Sequence, residues 1–245
     1  MLVRVILVDV NPKMIAAWKA TFEENPEVDV VQGSMLEQQV SAWVSPTNGK
    51  GSMDGGLDAV IKKHFGGKIE SAVQQEIKKL YSGTLPVGYA TCVETGSPMP
   101  RFLISTPTMA GSSEDISDTL NVALACAAAF QRVHMQNAAL PGSIRAVALP
   151  GLGANTGKVP VEICADLMWT AYNLFREKEF TDFGELKAAL QEELGELGGT
   201  SGKAQGAKKV ILAPKAAAAK QDFDDHEDGD DEEHDEEDED FDDTE

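Results

Sequence analysis

Apolar and polar positions follow two rhythms along the first 194 residues. LVRVILVDV at 2–10 is β-branched and almost continuously apolar, the pattern of a strand buried on both faces. Asn11 and Pro12 then form a cap and first-turn pair, and Met14, Ile15, Trp18 and Phe22 recur at helical spacing. Short apolar runs at 28–31, 40–44, 87–93, 102–106 and 144–150 predict further strands. Helices are predicted over 57–65 (ended by Gly66-Gly67), 68–81, 117–136 (capped by Ser117), 161–175 and 182–194. Trp18, Trp43 and Trp169 fall on apolar faces and are expected in the core. Strands alternating with helices predict an α/β fold, a three-layer α/β/α sandwich around a central mixed sheet.

From Gly195 the rhythm stops. Residues 195–220 are Gly-, Ala- and Lys-rich and read as a flexible linker, and 221–245 as a disordered acidic tail, leaving 1–194 as the folded domain. The net charge of −20 belongs mostly to that tail, which holds 18 of the 41 acidic side chains and no Lys or Arg. The folded part is nearly neutral, which points away from nucleic acid as a partner. The tail reads first as a solubilising segment and second as a nucleic-acid mimic or a docking arm for a basic partner. Cys92, Cys126 and Cys164 sit apart in apolar contexts, as core thiols of a reducing compartment do. No apolar run is long enough to span a bilayer, so a cytoplasmic protein without a membrane partner is expected.

The stretch PGLGANTGK at 150–158 follows a buried strand and ends in Gly-Lys. A nucleotide-hydrolase P-loop would need Gly at Leu152 and Ser or Thr at Val159, so the pattern fails at both ends. ILVDVNP ends a strand in Asp9, as dinucleotide and S-adenosylmethionine folds do, but the chain begins too close upstream for their glycine-rich turn. A methyltransferase therefore stays a third reading, and Asp9 is taken as a strand end.

The loop SPTNGKGSMDGGLD at 45–58 is richer in chemistry. Its glycines let backbone N–H groups turn toward an anion, and the following helix adds the partial positive charge of its N-terminus. Asn48 can donate and accept hydrogen bonds to a sugar, and Asp58, one turn into the helix, can orient a hydroxyl or a water. Two glycine-rich loops after strands of one sheet make a cleft suited to an extended phosphate ligand. Thr108, Lys158, His64 and His134 are weaker candidates; the histidines have no acidic partner nearby in sequence and read as helix-end residues.

VSPTN and GGLDA, ten positions apart at Asn48 and Asp58, resemble the first loop of the macrodomains, and ALPGLGANTGKVP resembles their second phosphate loop. The resemblance covers roughly residues 1–180, and MDGGLD is similar to a phage- and bacteria-associated subgroup. It implies binding of ADP-ribose or a related nucleotide, or hydrolysis of ADP-ribosyl-protein or ADP-ribose 1″-phosphate, with no cofactor and no metal. It assigns Asn48 and Asp58 to catalysis. It assigns Ser34, Gly49, Gly51, Gly55, Gly56, Leu57, Gly153, Ala154, Asn155, Thr156 and Gly157 to ligand binding. The chain departs from the family pattern in places. Gly33-Ser34 stands where the family has Gly-Asp at adenine, Ala154-Asn155 where it has Thr-Gly, Gly157 where an aromatic covers the distal ribose, and Asp54 where it has glycine. The departures at Ser34, Ala154 and Gly157 favour the alternative of a non-enzymatic ADP-ribose-binding module whose acidic tail docks a basic partner, while Asp54 would put a carboxylate near the expected diphosphate.

Overall fold

A computed structural model of the chain describes residues 3–178 and 180–198, with side chains through 192. The expected linker and acidic tail from 199 onward lie outside these residues. Strands β1 (Arg4–Asp9), β2 (Val28–Gln32), β3 (Ala42–Ser45), β4 (Thr91–Glu94), β5 (Phe102–Ser105) and β6 (Ala146–Leu149) form one sheet in the order β2-β1-β6-β3-β5-β4. All neighbours are parallel except β4, which pairs antiparallel with β5 at the edge. The mixed sheet is as expected.

Six helices cover it: α1 (Pro12–Thr21), α2 (Gly56–Phe65), α3 (Lys68–Tyr81), α4 (Asn121–Ala139), α5 (Val161–Glu177) and α6 (Phe183–Gly198). The strands sort their side chains by alternation. Val5, Leu7, Val44 and Leu149 face one core with α1, α4, α5 and α6, while Ile6, Val8, Trp43 and Ala148 face the other with α2 and α3. Near-continuous apolar strands are what a sheet covered on both faces requires. Trp18 fills the first core and Trp43 the second, both almost fully buried. Trp169 is only partly buried and donates its indole N–H to Asn25 Oδ1 at 2.9 Å.

Two predicted element starts move by four residues, and α6 runs four residues past its expected end at 194, into the expected linker. The strand expected at 87–93 begins at Thr91, because Pro86 and Gly88, the latter at φ +88, turn the chain first. The helix expected from Ser117 begins at Asn121. Ser117 donates to Asp115 Oδ1 at 2.6 Å, in a turn ahead of the helix, and does not cap it. His64 is exposed near the end of α2, as expected of a helix-end histidine, with its ring 5.5 Å from Trp43 and 4.7 Å from Phe65.

All three cysteines are free thiols. Burial pushes the Cys92 thiol up to about 11 and Cys164 to about 12, and raises Cys126 as well. The native protein is expected to react with Ellman's reagent at neutral pH far more slowly than the denatured chain, which should release three equivalents. Rapid native labelling would contradict this packing. Among the described residues no helix is long and apolar enough to cross a membrane.

Candidate functional site

The carboxyl ends of β1, β3, β5 and β6 lie along one margin of the sheet, so the loops that leave them converge. Between them is a cleft of ≈ 370 Å³ lined by 55–58, by 150, 151, 153 and 155–157, and by Asp9 and Ser34. A second recess of ≈ 580 Å³ adjoins it, sharing Pro46, Gly55, Asp58, Met109 and Thr156. Ligand sites of parallel sheets lie at this margin.

The wall at 55–58 is the start of α2. Gly55 is its N-cap residue and supplies no side-chain bond. The first N–H groups of the helix therefore face the cleft without a side-chain acceptor, an arrangement that favours an anion. Gly55 and Gly56 have open space where a Cβ would stand, so the backbone itself is the surface. The 153–157 turn closes on itself. Val159 N–H donates to Gly153 O at 3.2 Å, and Lys158 N–H to Asn155 O at 3.1 Å. Gly153 holds φ +74 to make that turn.

Asp58 sits in the first turn of α2, 7% exposed, and lines both cavities. Ser45, the last residue of β3, donates its hydroxyl to Asp58 Oδ1. Burial pushes the Asp58 carboxyl up to about 6; the Ser45 bond opposes this, and the negative charge of Glu70 adds to it. A carboxyl raised to about 6 at the junction of two cavities is mostly ionised at neutral pH and is suited to taking a proton there.

A macro domain profile matches residues 44–168, just over half of the chain and both loops of the cleft. The chain belongs to the macro domain family. An uncharacterized protein of Aquifex aeolicus is 30% identical over 152 residues, covering 62% of this chain and 84% of that one. Among solved structures, the macrodomain of Mycobacterium tuberculosis DarG is 21% identical, covers 59% of this chain and 87% of its own, and superposes with a TM-score of 0.47. The Oceanobacillus iheyensis macrodomain with ADP is 17% identical, covers 67% and 90%, and has a TM-score of 0.49.

Within this macro domain the expected residues divide. Ser34, Gly55, Gly56, Leu57, Asp58, Gly153, Asn155, Thr156 and Gly157 line the cleft, and Asn48 lines the recess. Gly49, Gly51 and Ala154 line neither, although all three were expected at the ligand. A Cβ at Gly49 would approach the carbonyls of Leu85 and Ala110 at 3.0 and 3.1 Å, and one at Gly51 would meet Ile77 at 2.8 Å. These two glycines let the loop pack against its neighbours. Ala154 packs against the core under the second loop.

Asn48 Oδ1 accepts from the backbone N–H of Lys50 and Ser52 at 3.0 and 3.2 Å, so much of its bonding shapes its own loop. Ser34 Oγ accepts from Leu36 N–H at 3.2 Å in a capping box, with Glu37 bonding back to Ser34 N–H. Its hydroxyl therefore does what an N-cap does. Asp54 pairs with Lys62 at 3.0 Å, and Lys62 also pairs with Glu70 at 2.7 Å, which offsets the carboxylate expected to repel a diphosphate. Lys158 leans toward Asp115 at 3.4 Å.

The residue that the sequence reading passed over is Asp9. Its Oδ1 accepts from Asn11 N–H at 2.8 Å, its Oδ2 from Gly151 N–H at 3.2 Å, and its carbonyl from Gly33 N–H at 3.1 Å. It thus ties three of the converging loops together, and it lines the cleft. Each carboxylate oxygen still has room for another donor. The signal was present in ILVDVNP, an acid at the end of a buried strand. Among the described residues no cluster of His, Cys, Asp or Glu is suited to hold a metal ion.

Proposed function

We propose that the cleft binds ADP-ribose and that the protein hydrolyses a derivative joined through the distal ribose. The observation that carries this reading is that the start of α2, without a side-chain cap, lines one cleft together with the 153–157 turn and the buried Asp58 carboxyl. Membership of the macro domain family supports it.

In this reading the diphosphate lies between the two loops, held by backbone N–H groups and the α2 dipole. The base lies toward Asp9, whose carboxylate accepts from the exocyclic amine of adenine, with the exposed Val10 and Val60 side chains against the ring. The distal ribose lies toward Asp58 and Asn48. Asp58 takes a proton from a water as its oxygen bonds to the anomeric carbon. The bond from that carbon to the departing group breaks, and the group leaves with its electron pair and a proton from solvent. Ser45 holds the carboxyl in place. No step draws on a metal.

The test is calorimetric titration with ADP-ribose, followed by hydrolysis assays on wild type, Asn48→Ala and Asp9→Asn. Asp9→Asn is expected to weaken ADP-ribose binding about tenfold, the scale of one charge-assisted hydrogen bond. Absence of binding at millimolar ADP-ribose would sink the reading. Binding without turnover would favour a non-enzymatic module, which the engagement of Asn48 within its own loop supports. That version adds a basic partner for the acidic tail, tested by pull-down with residues 221–245 removed.

A further inference from the structure

A third recess, of ≈ 510 Å³, lies between the last turns of α4 and α5, against Val3 and Val5 at the start of β1. The cleft is reached from Asp9 at the other end of that strand, so the two sites sit at opposite ends of β1. Four aromatic side chains line the recess: Phe130 of α4, Tyr172 and Phe175 of α5, and Phe180 beyond it. Their positions are fixed by contacts of their own. Phe130 stacks on Phe175 at 5.4 Å and meets Tyr172 at 5.6 Å. The Tyr172 hydroxyl donates to Glu27 Oε1 at 2.9 Å, and the Phe180 carbonyl accepts from the buried Gln131 Nε2 at 2.9 Å. A recess of this volume, with preformed aromatic walls and a few polar groups, has the make-up of a small-molecule site, and fixed rings favour a flat aromatic ligand.

The charged and basic groups at its edge fix the rest of the ligand. His134, Arg176 and Lys178 line the recess, and among the described residues no Asp or Glu does. Arg176 is already engaged, paired with Glu27 at 2.8 Å and lying 5.6 Å from the Tyr172 ring. Lys178 is exposed and forms no ion pair among the described residues. The His134 ring meets Phe175 edge-on at 6.5 Å, and an imidazole keeps an N–H to donate. An aromatic wall beside an unpaired ammonium and an imidazole donor is complementary to a ring that carries a carboxylate.

We propose that this recess is a second ligand site, separate from the cleft, that takes a small planar aromatic carboxylate. The ring packs against Phe130, Tyr172, Phe175 and Phe180, and the carboxylate meets Lys178 and His134 at the rim. The site does not depend on the ADP-ribose reading, because it shares no residue with the cleft.

The experiment is calorimetric titration of the full chain with indole-3-acetate and with its uncharged analogue indole-3-acetamide. Wild type is expected to bind the acetate with a Kd of about 0.1 mM and the amide about tenfold more weakly, the scale of one charge-assisted contact. Lys178→Gln should bring the two affinities together by weakening the acetate alone. Ala138→Trp should abolish binding of both compounds. Ala138 is exposed and lines the recess, so the added ring occupies it without needing room in the core, and the variant should melt with wild type. ADP-ribose at millimolar concentration should not displace the acetate. No binding of either compound, equal affinities in wild type, or an unchanged ratio in Lys178→Gln would overturn the proposal. So would full binding by a folded Ala138→Trp, or displacement by ADP-ribose, which would place the probe in the cleft. The Lys178→Gln comparison decides the matter by itself if Ala138→Trp does not fold. Failure here leaves the ADP-ribose reading standing.

Discussion

Asp58→Asn is expected to make the protein more stable at pH 8 and inactive. The carboxyl titrates near 6 in the folded protein, against about 3.8 when exposed, because burial penalises its charge. Below pH 3.8 the group is protonated in both states and costs nothing. Between 3.8 and 6 the folded state holds the proton more tightly than the unfolded chain, so stability from this residue falls as pH rises. Above 6 the cost is complete, about 3 kcal/mol for a shift of this size. An amide has no charge to desolvate and keeps the acceptor for Ser45. Urea denaturation at pH 5 and pH 8 should therefore show the variant gaining on wild type as pH rises, by roughly 1–3 kcal/mol in all. Glu27, Asp115 and Glu185 have lowered pKa values and act in the opposite sense, but they are common to both proteins and cancel in the difference. In the same variant, turnover of an ADP-ribosyl derivative should fall by about 10²–10⁴, the scale of a lost general base. Parallel pH profiles of stability in the two proteins would refute this account of Asp58.

Gly157→Ala should have the largest structural effect of any single methyl in the second loop. The added Cβ would stand 2.6 Å from Gly153 O and 2.6 Å from Ile116 Cγ1. One neighbour is backbone, and the other is a fully buried core side chain, so neither moves cheaply. We expect about 3 kcal/mol of destabilisation and loss of ADP-ribose binding together. Gly55→Ala is the control. Nothing lies within 4 Å of its Cβ position and its φ is −145, so the fold should change by a few tenths of a kcal/mol. Its methyl would instead stand in the cleft and weaken binding alone. Thermal melts with and without ADP-ribose separate the two outcomes. Equal melting temperatures for the two variants would show that the second loop is not packed as described.

The glycines also mark how far the loops were legible. That 45–58 and 150–158 are turning, glycine-rich segments after buried strands follows from composition and position. Which face of each loop meets the cleft does not. Gly49 and Gly51 look no different from Gly55 and Gly56 along the chain, yet two are pressed against Leu85, Ala110 and Ile77 while two border open space. That difference depends on where α3 and the 84–86 segment come to lie. Ala154 and Asn155 divide in the same way, one onto the core and one onto the cleft.

By itself the sequence determined the layered α/β fold, most of its elements and the presence of two glycine-rich loops after buried strands, because hydrophobic periodicity and glycine placement are local properties of the chain. Only the tertiary structure decided the role of Asp9. It lies 142 residues from Gly151, and the two meet because β1 pairs with β6 as well as with β2. It also decided that Ser45 is the partner of Asp58, that Lys62 offsets Asp54, and that Thr47 keeps a buried hydroxyl unpaired. Strand order brings these groups together, and strand order is fixed by how whole faces of helices and sheet bury one another, which no short stretch of sequence records.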